Sequence, residues 1–195
     1  MRLHGLADAF AIFCVPFGQY IQAADGARVC TSSWRRVDDN AMPARAKITG
    51  SYINAALAKS EVVLNGYDEA ITLTHEGHVA EGSAENIFLV KGGKLITPAV
   101  TENILEGITR DTIITLARQE LGVETVERCV DRSELYHAEE AFFCGTGVQV
   151  VPIIEIDRRA IGAGVMGPLT ARIRDLYFDV VRGKVAQYRA WCTPV

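Results

Sequence analysis

The apolar positions of this chain fall into short runs of β type and two well-marked helical stripes, divided by glycine-bearing turns. Phe10 to Val15 and Arg28 to Ser32 predict strands. Ala44 to Asn65 is long and broken only by Gly50, which favours a helix over its later part, with Gly66 as its C-terminal stop. Glu69 to Thr74 and Asn86 to Val90 predict further strands. The second joins Lys94 to Thr97 across Gly92-Gly93, the two-residue signature of a tight hairpin. Ile108 to Leu121 places Ile113, Leu116, Ala117 and Leu121 along one stripe before Gly122, an amphipathic helix with its stop. Val123 to Val130 follows as strand, Ser133 to His137 as a short helix from a serine cap, and Glu140 to Cys144 and Val148 to Ile156 as β-rich runs flanking Gly145-Thr146-Gly147. Pro168 to Arg182 predicts a last helix, with proline in its first turn and Leu169, Ile173, Leu176, Tyr177, Val180 and Val181 on one face. Strands and helices mix without strict alternation. The expected fold class is α+β or mixed α/β, a mixed sheet with packed helices rather than a doubly wound parallel fold. No repeat, low-complexity tract or linker divides the 195 residues, so a single domain is expected.

Composition narrows the function classes. A formal charge of -4 and the lack of a long Lys/Arg run argue against a nucleic-acid footprint built on phosphate neutralisation. The longest apolar run, Ala9 to Phe17, is far short of the roughly 20 residues a membrane helix needs. Met1-Arg2-Leu3-His4 ahead of it only faintly resembles a signal peptide, because Asp8 lies at its edge and no small-x-small cleavage site follows directly. Five cysteines with no Cys-x-x-Cys pair encode neither a disulfide framework nor a zinc knuckle, which fits a reducing cytoplasm; Cys14 and Cys144 read as small core residues. His75-Glu76-Gly77-His78 has the wrong spacing for a metal-binding helix and reads as a solvated hairpin, so no metal is expected.

Four stretches invite a chemical reading. Lys47, among small and apolar residues just before a helix, is placed for partial burial, which would make its neutral amine available as a nucleophile; a solvated surface charge is the plainer alternative. Glu81-Gly82-Ser83-Ala84-Glu85-Asn86 sets two carboxylates and an amide at a turn, either facing a cationic nitrogen or simply solvated. Leu105-Glu106-Gly107-Ile108-Thr109-Arg110-Asp111 opens a helix whose first free N–H groups suit a phosphate, although many helices begin this way without a ligand. Gly145-Thr146-Gly147 admits close approach of an anion to backbone, or is a plain turn.

Taken together and in order, Lys47-Ile48-Thr49-Gly50-Ser51-Tyr52, Glu81 to Phe88, Gly107 to Asp111 and Gly145-Thr146-Gly147 resemble the motif set of the fold-type IV pyridoxal-phosphate enzymes, and within them the branched-chain amino-acid aminotransferases. Pro16-Phe17-Gly18-Gln19-Tyr20, Ser32 to Arg36 and the ending Tyr188 to Val195 add to the narrower likeness, which runs from about Phe10 to Val195. The resemblance implies a large domain built as a mixed sheet or pseudo-barrel. It implies pyridoxal 5'-phosphate as cofactor and transamination between a branched-chain or other hydrophobic amino acid and 2-oxoglutarate. Lys47 matches the lysine that forms a Schiff base with the cofactor and shuttles the substrate proton. Glu81 matches the partner of the pyridine nitrogen and Tyr52 that of the ring oxygen; Leu105 matches an apolar residue packed on the ring. Ile108, Thr109 and Thr146 match the phosphate cup, Gly147 the backbone near the substrate carboxylate, and Tyr20 an aromatic of the side-chain pocket. Phe17 stands where many relatives carry tryptophan. The family's small domain, which precedes the point matched by Phe10 and supplies an arginine to the phosphate, is expected to be absent. D-amino-acid or amine transamination, aminodeoxychorismate-type lyase chemistry and a non-catalytic large domain are the alternatives the resemblance leaves open. The family also implies a homodimer or a higher homo-oligomer.

Overall fold

The computed structural model describes residues 4–18, 20, 21, 23 and 25–193. Met1 to Leu3 of the faint leader, Gln19 of the Pro16 to Tyr20 motif and the final Pro194 and Val195 therefore lie outside the described residues. Nine strands form one sheet. In chain order they are β1 (Ala27–Arg35), β2 (Glu69–Leu73), β3 (Val79–Gly82), β4 (Asn86–Lys91), β5 (Lys94–Pro98), β6 (Thr125–Arg128), β7 (Glu140–Gly145), β8 (Gln149–Ile156) and β9 (Arg159–Ala160). The helices are α1 (Tyr52–Leu64), α2 (Ile108–Glu120) and α3 (Pro168–Val181).

The sheet order is β3-β2-β1-β8-β7-β4-β5-β6, with β9 on β8. β1 runs parallel to both β2 and β8, and β5 parallel to β6, while the remaining pairs are antiparallel, so the sheet is mixed as the sequence predicts. Its two ends curl together. The Val79 N–H at the start of β3 donates to the Val130 carbonyl just beyond β6 at 2.8 Å, and His78 pairs with Asp131 as an antiparallel bridge, which closes a pseudo-barrel.

Strand alternation explains why β4 and β7 read as continuous apolar runs. Ile87, Leu89, Ala141 and Phe143 point inward with Val29, Ile71, Leu73 and Ile153, filling the barrel. Phe88, Val90, Phe142 and Cys144 point outward and are covered by Ile113 and Ala117 of α2 and Ile173 and Tyr177 of α3. Phe88 and Phe142 stack across the strands with ring centroids 5.1 Å apart. Helix α1 covers another part of the sheet through Ala58 and Val62 against Tyr67 and Ala70. The hairpin between β4 and β5 turns on Gly92 and Gly93 at φ of 58° and 70°, left-handed values that a Cβ resists.

Four expectations need correction. Phe10 to Val15 is not a strand: these residues have no regular structure, and Phe10, Phe13 and Cys14 are exposed, Phe10 by 88%. Apolarity favours burial but does not by itself provide a pairing strand. Cys14 is accordingly not a core residue, whereas Cys144 is. The short helix begins at Arg132 rather than at a Ser133 cap, because the Asp131 N–H is taken by Glu134 Oε1 at 3.1 Å. The polar turn expected over Glu81 to Asn86 is confined to residues 83–85, because Glu81 and Gly82 belong to strand β3 and Asn86 opens β4, and all six residues but Ala84 are buried rather than solvated.

Candidate active site

One mouth of the pseudo-barrel opens into a cavity of about 440 Å³, within the range of small-molecule sites. Its lining includes Lys47, Tyr52, Glu81, Leu105, Ile108, Thr109, Thr146 and Gly147. Four sequence-distant stretches therefore meet at one place.

Lys47 ends the loop before a short 3-10 turn, Thr49–Ser51, that leads directly into α1 and so fixes Tyr52 at the helix start. Lys47 Nζ donates to the Tyr52 hydroxyl at 2.6 Å. The residue is exposed rather than partly buried, because the cavity is open on that side.

Glu81 lies at the opposite extreme of solvation. Its Oε1 meets Arg36 Nη2 at 2.9 Å, and its Oε2 accepts from the Leu105 N–H and from Asn86 Nδ2, both at 3.1 Å. Burial pushes the carboxyl up to about 7, against the opposing pull of Arg36, the Leu105 N–H and the nearby Lys47 cation. Arg36 is itself fixed by its Nε, which donates to the Asn103 carbonyl at 3.0 Å. Asn86 Nδ2 also donates to the Leu105 carbonyl at 2.8 Å, which stitches β4 to the segment before α2. Gly107 belongs to this arrangement, since a Cβ there would overlap Asn86 Oδ1.

Helix α2 starts at Ile108 after an extended Gly107, and no side chain caps its first turn. Its free N–H groups open on the cavity beside Thr109, whose side chain is buried, while the Ile108 side chain is 84% exposed, so that Ile108 offers its backbone. Thr146 and Gly147 form the β7–β8 turn across from them and are exposed to the cavity. Tyr20 is not part of the cavity wall. It sits beside Gly147, where a Cβ would lie 4.0 Å from its ring and 3.8 Å from that of Phe17, and the two rings stack at 6.2 Å. Burial, with Glu85 and Glu69 nearby, pushes the Tyr20 hydroxyl up to about 12.

Residue-by-residue reading did not assign roles to Arg36, Asn86 and Glu85. Arg36 stands 45 positions from Glu81, and only the return of the chain past β1 pairs them. Glu85 shares its motif with Glu81 but turns a different way: Oε2 accepts the Ala84 N–H at 3.1 Å, and Oε1 is buried with no partner among the described residues. Burial and the neighbouring Glu69 push it up to about 8. A Cβ on Gly82 would lie 2.5 Å from Glu85 Oε2, which is the physical reason for glycine between the two carboxylates.

Comparison with known proteins agrees with this geometry. The family model described as Amino-transferase class IV matches residues 3–156. The chain is 54% identical over 194 residues to a protein of Aquifex aeolicus (strain VF5) bearing the name "Probable branched-chain-amino-acid aminotransferase", covering 100% of this chain and 62% of that protein. Among solved structures, the branched-chain amino acid aminotransferase of Thermobaculum terrenum in its PLP form superposes with a TM-score of 0.87 at 48% identity, over 92% of this chain and 58% of that one. The branched-chain aminotransferase of Thermoproteus uzoniensis, solved with norvaline, gives 0.88 at 48%, over 92% and 59%. The chain thus spans about three fifths of the length of these relatives. With the match covering most of its length and its fold shared with these structures, the chain belongs to the class IV aminotransferases.

Proposed function

We propose that this chain carries the pyridoxal-phosphate centre of a transaminase that exchanges an amino group between a branched-chain or other hydrophobic L-amino acid and 2-oxoglutarate. The supporting observation is the convergence on one cavity of an amine, Lys47, a buried carboxyl, Glu81, and the uncapped N-terminus of α2. These residues fit the cofactor. A phosphate dianion satisfies helix N–H groups that no side chain caps, the Thr109 and Thr146 hydroxyls add donors, and a protonated ring nitrogen suits a carboxyl held by Arg36. When bound, the cofactor supplies an electrophilic carbon for amines and a ring that accepts the electron pair of a cleaved C–H bond.

The protein supplies the rest. Lys47 would be the residue that holds the cofactor, and its amine, kept in position by the 2.6 Å bond to Tyr52, is the group placed to move the substrate proton. Glu81 would keep a proton on the ring nitrogen. A carboxyl with its proton affinity near 7, gripped by Arg36, Leu105 and Asn86, meets that task without moving. Tyr52 would donate to the ring oxygen and Leu105 would offer an apolar surface to the ring. The Ile108 and Thr109 backbone, with Thr109 and Thr146 side chains, binds phosphate. Gly147 backbone would orient the substrate carboxylate, and Tyr20, beside Gly147 at the margin of the cavity, would meet the aliphatic side chain. The 195 residues act as one cofactor-binding domain. The protein works as a cytoplasmic homo-oligomer, at least a dimer, a location that five unpaired cysteines favour; no described helix is long and apolar enough to cross a membrane.

The test is the amino-group exchange itself. Protein loaded with cofactor is given L-leucine and 2-oxoglutarate, and 4-methyl-2-oxopentanoate and glutamate are quantified, with D-leucine in parallel. Formation of both products from the L-isomer alone, lost in Lys47→Ala, is expected. Product from D-leucine, or pyruvate release from a chorismate-derived substrate in its place, overturns the assignment.

A further inference from the structure

The tip of the β2–β3 hairpin places His78 beside two residues from other parts of the chain. His78 Nδ1 is 3.4 Å from Glu102 Oε2, and both lie with the Cys129 Sγ in a group whose ligand atoms are all within 4.8 Å of one another. The three come from a hairpin, from the segment between β5 and α2, and from the residue after β6. Two ligands about 2.0–2.1 Å from one tetrahedral ion sit roughly 3.3 Å apart, so the imidazole and carboxylate already stand at an edge of such a site, and a side-chain rotation brings in the sulfur. The other imidazole nitrogen, Nε2, faces the Asp131 carboxylate at 3.9 Å, the outer partner that metal-bound histidines usually have. His78 and Glu102, though not Cys129, line a recess of about 480 Å³ that also holds the Arg45 cation. The recess carries Asp38, Asp39 and Glu76 besides Glu102, and shares no lining residue with the cofactor cavity.

We propose that His78, Glu102 and Cys129 bind a divalent metal ion of borderline softness, of the Zn(II) class, with Asp131 orienting the imidazole and a water completing the coordination. One nitrogen, one oxygen and one sulfur donor select such an ion over the oxygen-seeking Mg(II) and Ca(II). The spacing of His75 and His78 gives no sign of this site. Only His78 takes part, and its partners are 24 and 51 residues further along, where spacing carries no signal. The ion is a structural tie. Glu102 adjoins Asn103, whose carbonyl holds Arg36 against Glu81, so binding fastens the segment that supports the Arg36–Glu81 pair.

Cobalt(II) is the probe, added alone to the reduced full chain both with and without pyridoxal phosphate. The expected result is a thiolate-to-cobalt absorption band with tetrahedral ligand-field bands, bleached by Zn(II) and absent in Cys129→Ser. Asp131→Asn weakens Zn(II) binding about 10–100-fold, and His78→Ala by more than that. Circular dichroism checks folding, and Glu102→Gln gives a second reading if Cys129→Ser does not fold. Identical cobalt spectra for the parent and Cys129→Ser, no thiolate band in the parent, or Zn(II) affinity unchanged by His78→Ala or Glu102→Gln overturns the site. None of these readouts depends on transaminase activity.

Discussion

Replacing Gly107 by alanine should destabilise the protein through one neighbouring side chain. Gly107 has φ of -69° and ψ of 135°, which any residue adopts, so alanine brings no backbone strain. Its Cβ would overlap Asn86 Oδ1, while the nearest atom outside Asn86 is Arg110 Cβ at an ordinary 3.7 Å. Displacing the amide breaks the 3.1 Å bond from Nδ2 to the Glu81 carboxylate and the 2.8 Å bond to the Leu105 carbonyl. A bond to a charged group contributes about 1.5–3 kcal/mol and a neutral one about 0.5–1.5, while alanine's lower unfolded-state entropy returns about 0.4–1. The net loss is about 2 kcal/mol, or roughly 4–8 °C in Tm for a domain of this size. The discriminating assay is urea unfolding at about pH 8.5, where Glu81 is ionised, of Gly107→Ala alone, Asn86→Ala alone and the pair. In the Asn86→Ala background the overlapping atom is gone, so Gly107→Ala should become neutral or stabilising by about 0.4–1 kcal/mol. An equal cost in both backgrounds would refute the link from Gly107 through Asn86 to Glu81.

Further outcomes follow from the same structure. Removing Arg36 with Arg36→Met leaves Glu81 buried without its cation and should cost about 3–5 kcal/mol at about pH 8.5, where the parent's Glu81 is ionised, read by urea unfolding of the cofactor-free protein; a cost under about 1 kcal/mol at that pH would mean the pair is not formed. In the cofactor-free protein Glu81 keeps a proton up to about pH 7 that the unfolded chain releases near 4.5, so stability on its account is greatest below 4.5 and is lost as pH rises toward 7. At 1.36 kcal/mol per pH unit the loss is roughly 3 kcal/mol, and Glu81→Gln should flatten that part of the stability profile; an unchanged profile contradicts the assigned proton affinity. Glu140 of β7 accepts the first N–H groups of α3, from Leu169 at 3.0 Å and Thr170 at 2.7 Å. Glu140→Ala should therefore cost about 1–2 kcal/mol in thermal unfolding, as loss of a helix cap does.

What the sequence revealed was what local pattern can encode. The stripe of Ile113, Leu116 and Ala117 is buried in α2, α3 begins at Pro168, and Gly92-Gly93 makes its hairpin, because periodicity and turn chemistry act over a few residues. The run at Phe10 to Val15 has the same local signature as a strand and yet is none, since pairing is a property of neighbours. At Glu81 the local sequence leaves both a solvated turn and a carboxylate facing a cation open, because the cation that meets it within the protein, Arg36, arrives from β1's end and not from the sequence beside it. The site was legible as four motifs, and the residues that hold it in shape were not. Asn86 and Arg36 act through contacts to Leu105 and Asn103, segments whose approach depends on how the barrel closes.

The central claim is that Lys47 is the amine that holds pyridoxal phosphate in this cavity. Its most direct measurement is reduction of the cofactor-treated chain with borohydride, followed by mass analysis of its peptides. One phosphopyridoxyl group on the peptide containing Lys47, with none in the Lys47→Ala protein, is the predicted result. Label spread over other lysines such as Lys59 and Lys94, or equal labelling of the Lys47→Ala protein, contradicts it.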